Sequence, residues 1–238
     1  MIWGLRSLER TFVWGGGAAF VASLVVGTSW YLFALGRSRP WAGWRPIAWD
    51  AALFSLFALH HSLLARDTVK RRLTLIPPRL VRSVYVWVAS LLLMFVCLRW
   101  QPIGGAAYDV TGIGAVALGV VQLLGVWIVA RAVARIDSLE LAGIRSANVT
   151  GEGSATPPMP LQITGPYGWV RHPLYLGWML AVFGAAHMTG DRAAFAAISS
   201  LYLVMAVPWE EQSLMQSFGD EYARYKQQVR WRVIPFVY

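Results

Sequence analysis

The 238 residues are 57% hydrophobic and only 14% charged, with a mean hydropathy of +0.49. Soluble domains hold about 25% charged residues because a water-facing shell needs them, so the composition excludes a soluble globule and points to a polytopic membrane protein. The net charge of +9 does not signal nucleic acid, because the basic residues sit between apolar runs, as positive-inside anchors do, and not along a polar groove or recognition helix.

A membrane span needs about 20 mostly apolar residues at about 1.5 Å each. Residues 11–35 supply the first. Arg6 and Arg10 precede it, but the run is too long for a secretion signal and meets Arg37 and Arg39 without a small-residue cleavage site. It reads as a retained anchor. Residues 47–65 form the second run, with Asp50 near its start and His60 and His61 near its end. Residues 83–98 form the third and finish in the interfacial Arg99-Trp100-Gln101-Pro102. Residues 112–130 are the fourth, stopped by Arg131, Arg135 and Asp137. The shorter runs 174–188 and 193–207, joined by Thr189-Gly190-Asp191-Arg192, read as a helical hairpin making the fifth and sixth passes, the sixth able to dip instead of span. The expected fold class is all-α: a polytopic membrane helical bundle of five to six transmembrane helices.

Lys and Arg in alternate connections set the orientation. Sixteen of the 21 fall in the N-terminal tail, residues 66–82, residues 131–171 and the C-terminal tail; five fall in the other connections. Both termini are therefore expected in the cytoplasm, where the Asn148-Val149-Thr150 sequon carries no glycan. Residues 147–161, rich in Gly, Ser, Thr and Pro, read as a flexible loop. The polar tail from Trp209 fits two short cytoplasmic helices, with Gly219 as a C′ residue and Asp220 as the next N-cap. No internal repeat is visible.

Several features offer little chemistry. Cys97 lies mid-run and excludes an intramolecular disulfide or a cysteine zinc site; the four histidines lack zinc spacing, so no metal is expected. Gly112-Ile113-Gly114 and Gly119 have no strand before them and suit close helix packing better than a nucleotide loop. Lys70-Arg71-Arg72 suits anionic headgroups.

The sharpest motif runs from Thr164 to Gly177 and contains Arg171-His172-Pro173. Pro173 suits the first helical position, which puts His172 at the cap. The amides of such a first turn make an anion site, which Arg171 strengthens. Tyr175 lies three residues on from His172, on the same side of the helix. Gly177 removes a side chain where a ligand or another helix comes close. The second motif is Pro208-Trp209-Glu210-Glu211, whose carboxylates suit an ammonium or sulfonium; adjacent helical residues point about 100° apart, so one of the two faces the ligand. The ordinary readings are interfacial anchors and dipole-complementing acids. Together the motifs match a ligand with a carboxylate beside positive groups, the pattern of S-adenosylmethionine. Its adenine would have Tyr167 or Trp169 to stack on.

Gly165-Pro166-Tyr167, Arg171-His172-Pro173, Tyr175, Gly177, Glu210-Glu211 and the Phe218-Gly219-x-x-Tyr222-x-x-Tyr225 tail resemble the isoprenylcysteine carboxyl methyltransferase and phospholipid methyltransferase superfamily over residues 161–235. The resemblance implies a membrane-embedded enzyme that uses S-adenosylmethionine bound on the cytoplasmic side, with Tyr167, Arg171, His172, Tyr175, Gly177, Glu210 and Glu211 around it. In the front half, residues 59–66, Arg82-Ser83-Val84-Tyr85 and Trp100-Gln101-Pro102-Ile103 resemble the nitric-oxide-reductase-associated membrane proteins. Bacterial methanethiol S-methyltransferases are similar to both halves joined. That implies residues 1–135 as a four-helix membrane region on the substrate side and 136–238 as the methyltransferase region, in a bacterial inner membrane. The expected reaction methylates a small-molecule or lipophilic acceptor, such as methanethiol to dimethyl sulfide, and membrane lipids are the other expected partners. Phospholipid amine or prenylcysteine carboxyl methylation and a non-enzymatic accessory or transport protein are the alternatives. A free thiol is mostly protonated at neutral pH, so a cation or base helps. Arg171 is the cation candidate and His60 or His61 the base, against a histidine merely bonded to a neighbouring helix.

Overall fold

The computed structural model describes residues 2–64, 76–136, 138–144 and 160–238. The Lys70-Arg71-Arg72 cluster, Asp137 and the Asn148 sequon lie outside them. Each of the six apolar runs contains a helix. The helices are α1 (Ile2–Ser29, continued by a π turn Trp30–Ala34), α2 (Arg45–Leu64), α3 (Pro78–Arg99), α4 (Gly112–Val133), α5 (Pro173–Phe183) and α6 (Gly190–Phe218), followed by α7 (Asp220–Gln228). The chain is an all-α integral membrane protein. Among the described residues, four helical segments are long and apolar enough to cross a membrane: Ser7–Ala34, Pro78–Arg99, Gly112–Val133 and Gly190–Phe218. The expected five to six spans are not confirmed. α2 carries Arg45, Asp50, His60 and His61. The 11 residues of α5 rise only about 16 Å against an apolar layer of about 30 Å.

The chain packs as two compact units interleaved in sequence: residues 1–34, 48–101 and 137–158 in the first, and 35–47, 102–136 and 159–238 in the second. Residues 102–136 pack with residues 159–238. In the first unit α3 lies along α1: Trp87 Nε1 donates to Phe12 O at 2.9 Å, and Arg79 pairs with Glu9 at 2.6 Å. The fully buried Asp50 accepts the amide of Gln101 at 2.9 Å.

In the second unit α5 crosses α4 at backbone contact. A Cβ on Gly177 would stand 2.7 Å from Gly125 O, and one on Gly125 would stand 2.4 Å from Ala181 N. A Cβ on either of the expected packing glycines Gly112 and Gly119 would meet no other element within 4 Å among the described residues; the crossing uses Gly125 and Gly177 instead. A two-stranded sheet absent from the sequence reading pairs β1 (Ala106–Asp109) antiparallel with β2 (His187–Thr189), so the fifth helix stops at Phe183. Asp191, 3% exposed, accepts the amides of Ile103 and Gly104 at 3.0 and 2.9 Å and ties the start of α6 to the segment leading into β1.

α6 carries Pro208 inside it and does not break there, so the acidic doublet belongs to one continuous 29-residue helix and not to a separate short one. It ends at Gly219, whose φ of 51° takes the left-handed conformation glycine tolerates best. Gly219 also caps α7, and the expected N-cap Asp220 is the first helical residue, its charge complementing the dipole. The buried face of α7 packs Tyr222, Tyr225 and Val229 against Leu161, Leu214 and Phe218.

Candidate functional site

The site lies wholly in the second unit, where α5 begins and α6 nears its end. A 3-10 turn, Gly165–Gly168, leads into the motif. Arg135 of the α4 end supports it by donating to Thr164 Oγ1 at 3.2 Å. His172 holds the cap position before Pro173, but its side chain makes no capping bond; it turns to the carboxylates of α6. His172 Nδ1 is 3.5 Å from Glu210 Oε2, and Nε2 is 3.6 Å from Glu211 Oε1. Its ring stacks on Tyr175 at 5.3 Å between centroids. The Tyr175 hydroxyl donates to Glu210 Oε2 at 2.6 Å.

Arg171 and Glu211 form a buried ion pair, each side chain 6% exposed, with Nε donating to Oε1 at 2.7 Å. The guanidinium also donates from Nη1 to the carbonyls of Val229 and Arg230 at 2.8 and 2.7 Å. Arg232 Nε stands 3.4 Å from the other oxygen of Glu211. Glu211 is thereby neutralised from within. Glu210, with 45% of its side chain exposed, is the carboxylate that solvent or a ligand reaches.

The first-turn amides are less open than the sequence suggests. Pro173 has no N–H. Tyr175 and Leu176 bond back to His172 O at 3.1 and 3.2 Å, and the amides of Arg171 and His172 donate to Trp231 and Arg232 carbonyls at 2.9 and 2.8 Å. Residues 229–232 therefore brace the motif, and their loop is closed by the Tyr238 carbonyl.

Burial opposes a charge on His172, but hydrogen bonds and attraction from Glu210 and Glu211 outweigh it and raise its pKa. Burial, then the nearby charge of Glu210, pushes the Tyr167 phenol up to about 12. Tyr225 is raised chiefly by burial and donates its hydroxyl to Tyr167 O at 2.7 Å, fixing the turn that presents Tyr167. Trp169 is half exposed and stacks on Trp127 of α4 at 6.1 Å.

Of the residues singled out in the sequence, Tyr167, Arg171, His172, Tyr175, Glu210 and Glu211 come together. Gly177 does not join them: its missing side chain makes room for α4. His60 and His61 belong to the first unit, where Tyr85 OH is 2.8 Å from His61 Nδ1 and stacks with His60 at 5.6 Å. Arg232 and the carbonyls of residues 229–232 were not foreseen. In the sequence Arg232 is one more basic residue of a tail rich in interfacial anchors.

The phospholipid methyltransferase family model matches residues 113–221, which include both motifs. A methanethiol S-methyltransferase of Crocosphaera subtropica is 34% identical over 190 residues, covering 79% of this chain and 74% of that protein. The methanethiol S-methyltransferase 2 of Bradyrhizobium diazoefficiens is 36% identical over 179 residues, 74% of this chain and 69% of that protein. The chain belongs to the methanethiol S-methyltransferase family. The Mycobacterium tuberculosis member is 33% identical over 182 residues, 76% of this chain and 75% of that protein. No solved structure matches the chain. The cluster around Glu210 and Glu211 thus sits in a membrane methyltransferase, within the part of the chain that the family model covers.

Proposed function

We propose that this membrane methyltransferase methylates a small thiol, with S-adenosylmethionine as donor and methanethiol, the substrate its relatives are named for, as acceptor. The observation that carries the reading is the junction of the α5 opening with the acidic doublet of α6, through Arg171–Glu211 at 2.7 Å and Tyr175–Glu210 at 2.6 Å. The donor fits these residues by charge: Glu210 offers an exposed carboxylate to its ammonium or sulfonium, while the partly exposed Arg232 offers positive charge to its carboxylate. Tyr167 and Trp169 supply aromatic faces for the base.

When bound, S-adenosylmethionine supplies a methyl group on a sulfonium, which passes to the acceptor sulfur as the donor's S–CH3 bond breaks and the thiol proton leaves to a base. The protein's part is alignment and exclusion of water. Arg171 and Glu211, neutralising each other, hold α5 and α6 at fixed separation. Tyr175 and His172 hold Glu210 in place. The excess of Lys and Arg in the N- and C-terminal tails supports a donor site on the cytoplasmic face. Phospholipid amine methylation is a second reading, supported by the family matched over residues 113–221.

Binding of labelled S-adenosylmethionine to purified protein tests the donor site. We expect at least ~10-fold weaker binding in Glu210→Gln and His172→Ala, about the weight of a lost charge-assisted bond. Equal binding by both variants and wild type overturns the site. Headspace dimethyl sulfide from cells given methanethiol tests the acceptor: no product above a Glu211→Ala control rejects the thiol.

A further inference from the structure

A second set of reactive side chains stands in series at the two-stranded sheet, near the other end of α6. Ser38 Oγ is 3.1 Å from His187 Nε2, and His187 Nδ1 is 3.2 Å from Asp109 Oδ1. All three belong to the second unit. From Gly190 to Glu210, α6 rises about 30 Å, so this set is separate from the proposed donor site.

The proton positions follow from the partners. An ionised carboxylate only accepts hydrogen bonds, so Asp109 requires the proton on Nδ1. Nε2 then keeps its lone pair, and the Ser38 hydroxyl donates to it. Nucleophile, base and orienting carboxylate thus stand in the order that a serine hydrolase uses. The fold holds each member. The antiparallel register pairs Asp109 directly with His187. Arg192 Nη1 donates to His187 O at 2.7 Å. The segment that carries Ser38 is pinned to the sheet by Thr189 Oγ1 donating to Leu35 O, and by Gly105 N donating to Arg39 O at 2.8 Å. Ala106 and Ala107, on the strand that carries Asp109, join Trp41, Ile103, Ala193 and Ala197 in lining an apolar cavity of about 550 Å³. That lining suits a hydrocarbon chain.

We propose that Ser38, His187 and Asp109 form a second catalytic site, one that hydrolyses carboxylic esters with an apolar acyl chain. Ser38 Oγ bonds to the ester carbonyl carbon while its proton passes to His187 Nε2. The C–O bond to the alcohol breaks, and the alcohol leaves with that proton. Water, deprotonated by the same nitrogen, then releases the acid and restores Ser38. Asp109 stays ionised and holds the imidazole in register.

The test uses the full chain in phospholipid nanodiscs, treated with a fluorophosphonate probe and assayed on p-nitrophenyl hexanoate. We expect covalent labelling at Ser38 by peptide mapping, no labelling in Ser38→Ala, and hydrolysis lowered at least ~100-fold in Ser38→Ala and His187→Gln. Unchanged thermal midpoints and S-adenosylmethionine binding show that the variants remain folded. Absence of label on Ser38, labelling without ester turnover, or turnover in Ser38→Ala equal to wild type overturns the proposal. Each of these results makes the three residues a hydrogen-bonded peg between loop and sheet.

Discussion

Arg171 and His172 are adjacent in sequence but have different electrostatic roles. Arg171 is buried against Glu211 and two carbonyls. Removing it leaves a buried carboxylate short of its main partner, so Arg171→Ala should cost about 3–5 kcal/mol, read as a large fall in thermal midpoint. A fall no larger than that of an exposed Arg→Ala control refutes the burial argument. His172 has a raised pKa in the folded protein. Its contribution to stability is therefore complete below its unfolded pKa of about 6.5 and is lost as pH rises through the folded value. The midpoint advantage of wild type over His172→Gln should be largest in mild acid and shrink toward pH 9; an advantage that grows with pH contradicts the assignment. The sequence made both residues visible, because Pro173 marks a helix start and fixes the cap position. It did not show that Arg171 is consumed internally, since its partners Glu211, Val229 and Arg230 lie 40 or more residues away.

Among the elements, the apolar runs were legible because burial in lipid demands long hydrophobic segments whatever their neighbours. Helix ends and facing sides were not. α4 is apolar all round, so hydropathy does not say which stripe meets protein, and the glycines that meet α5 are Gly125 and Gly177, not Gly112 and Gly119. Gly177→Ala drives a Cβ to 2.7 Å from Gly125 O and 2.9 Å from Val129 N. We expect it to cost about 1–3 kcal/mol and to weaken donor binding by moving the start of α5. Gly119→Ala, whose Cβ meets no other element within 4 Å among the described residues, should be neutral or stabilising by up to about 1 kcal/mol. Equal midpoints for the two variants would show that α4 and α5 do not cross so closely. The strands β1 and β2 escaped the sequence reading for a related reason. Three or four residues carry too little periodicity to be seen, and they pair across about 80 residues of chain.

At the scale of the molecule, the second unit carries a proposed site toward each end of α6, about 30 Å apart along the helix. Groups so separated contribute independently. Asp191→Ala orphans the amides of Ile103 and Gly104, at about 1–3 kcal/mol each. Its effect on the thermal midpoint should add to that of Glu210→Gln, while its affinity for labelled S-adenosylmethionine stays that of wild type; a strong loss of affinity would show the two ends to be coupled. The sequence by itself determined the membrane class, the helical runs, the two charged motifs and their family likeness, because each follows from local composition and spacing. Only the tertiary structure decided that Glu211 is neutralised while Glu210 is exposed, that Gly177 serves helix packing, and that residues 229–232 brace the motif. Those outcomes depend on which distant groups share a buried volume, and no short stretch of chain encodes that.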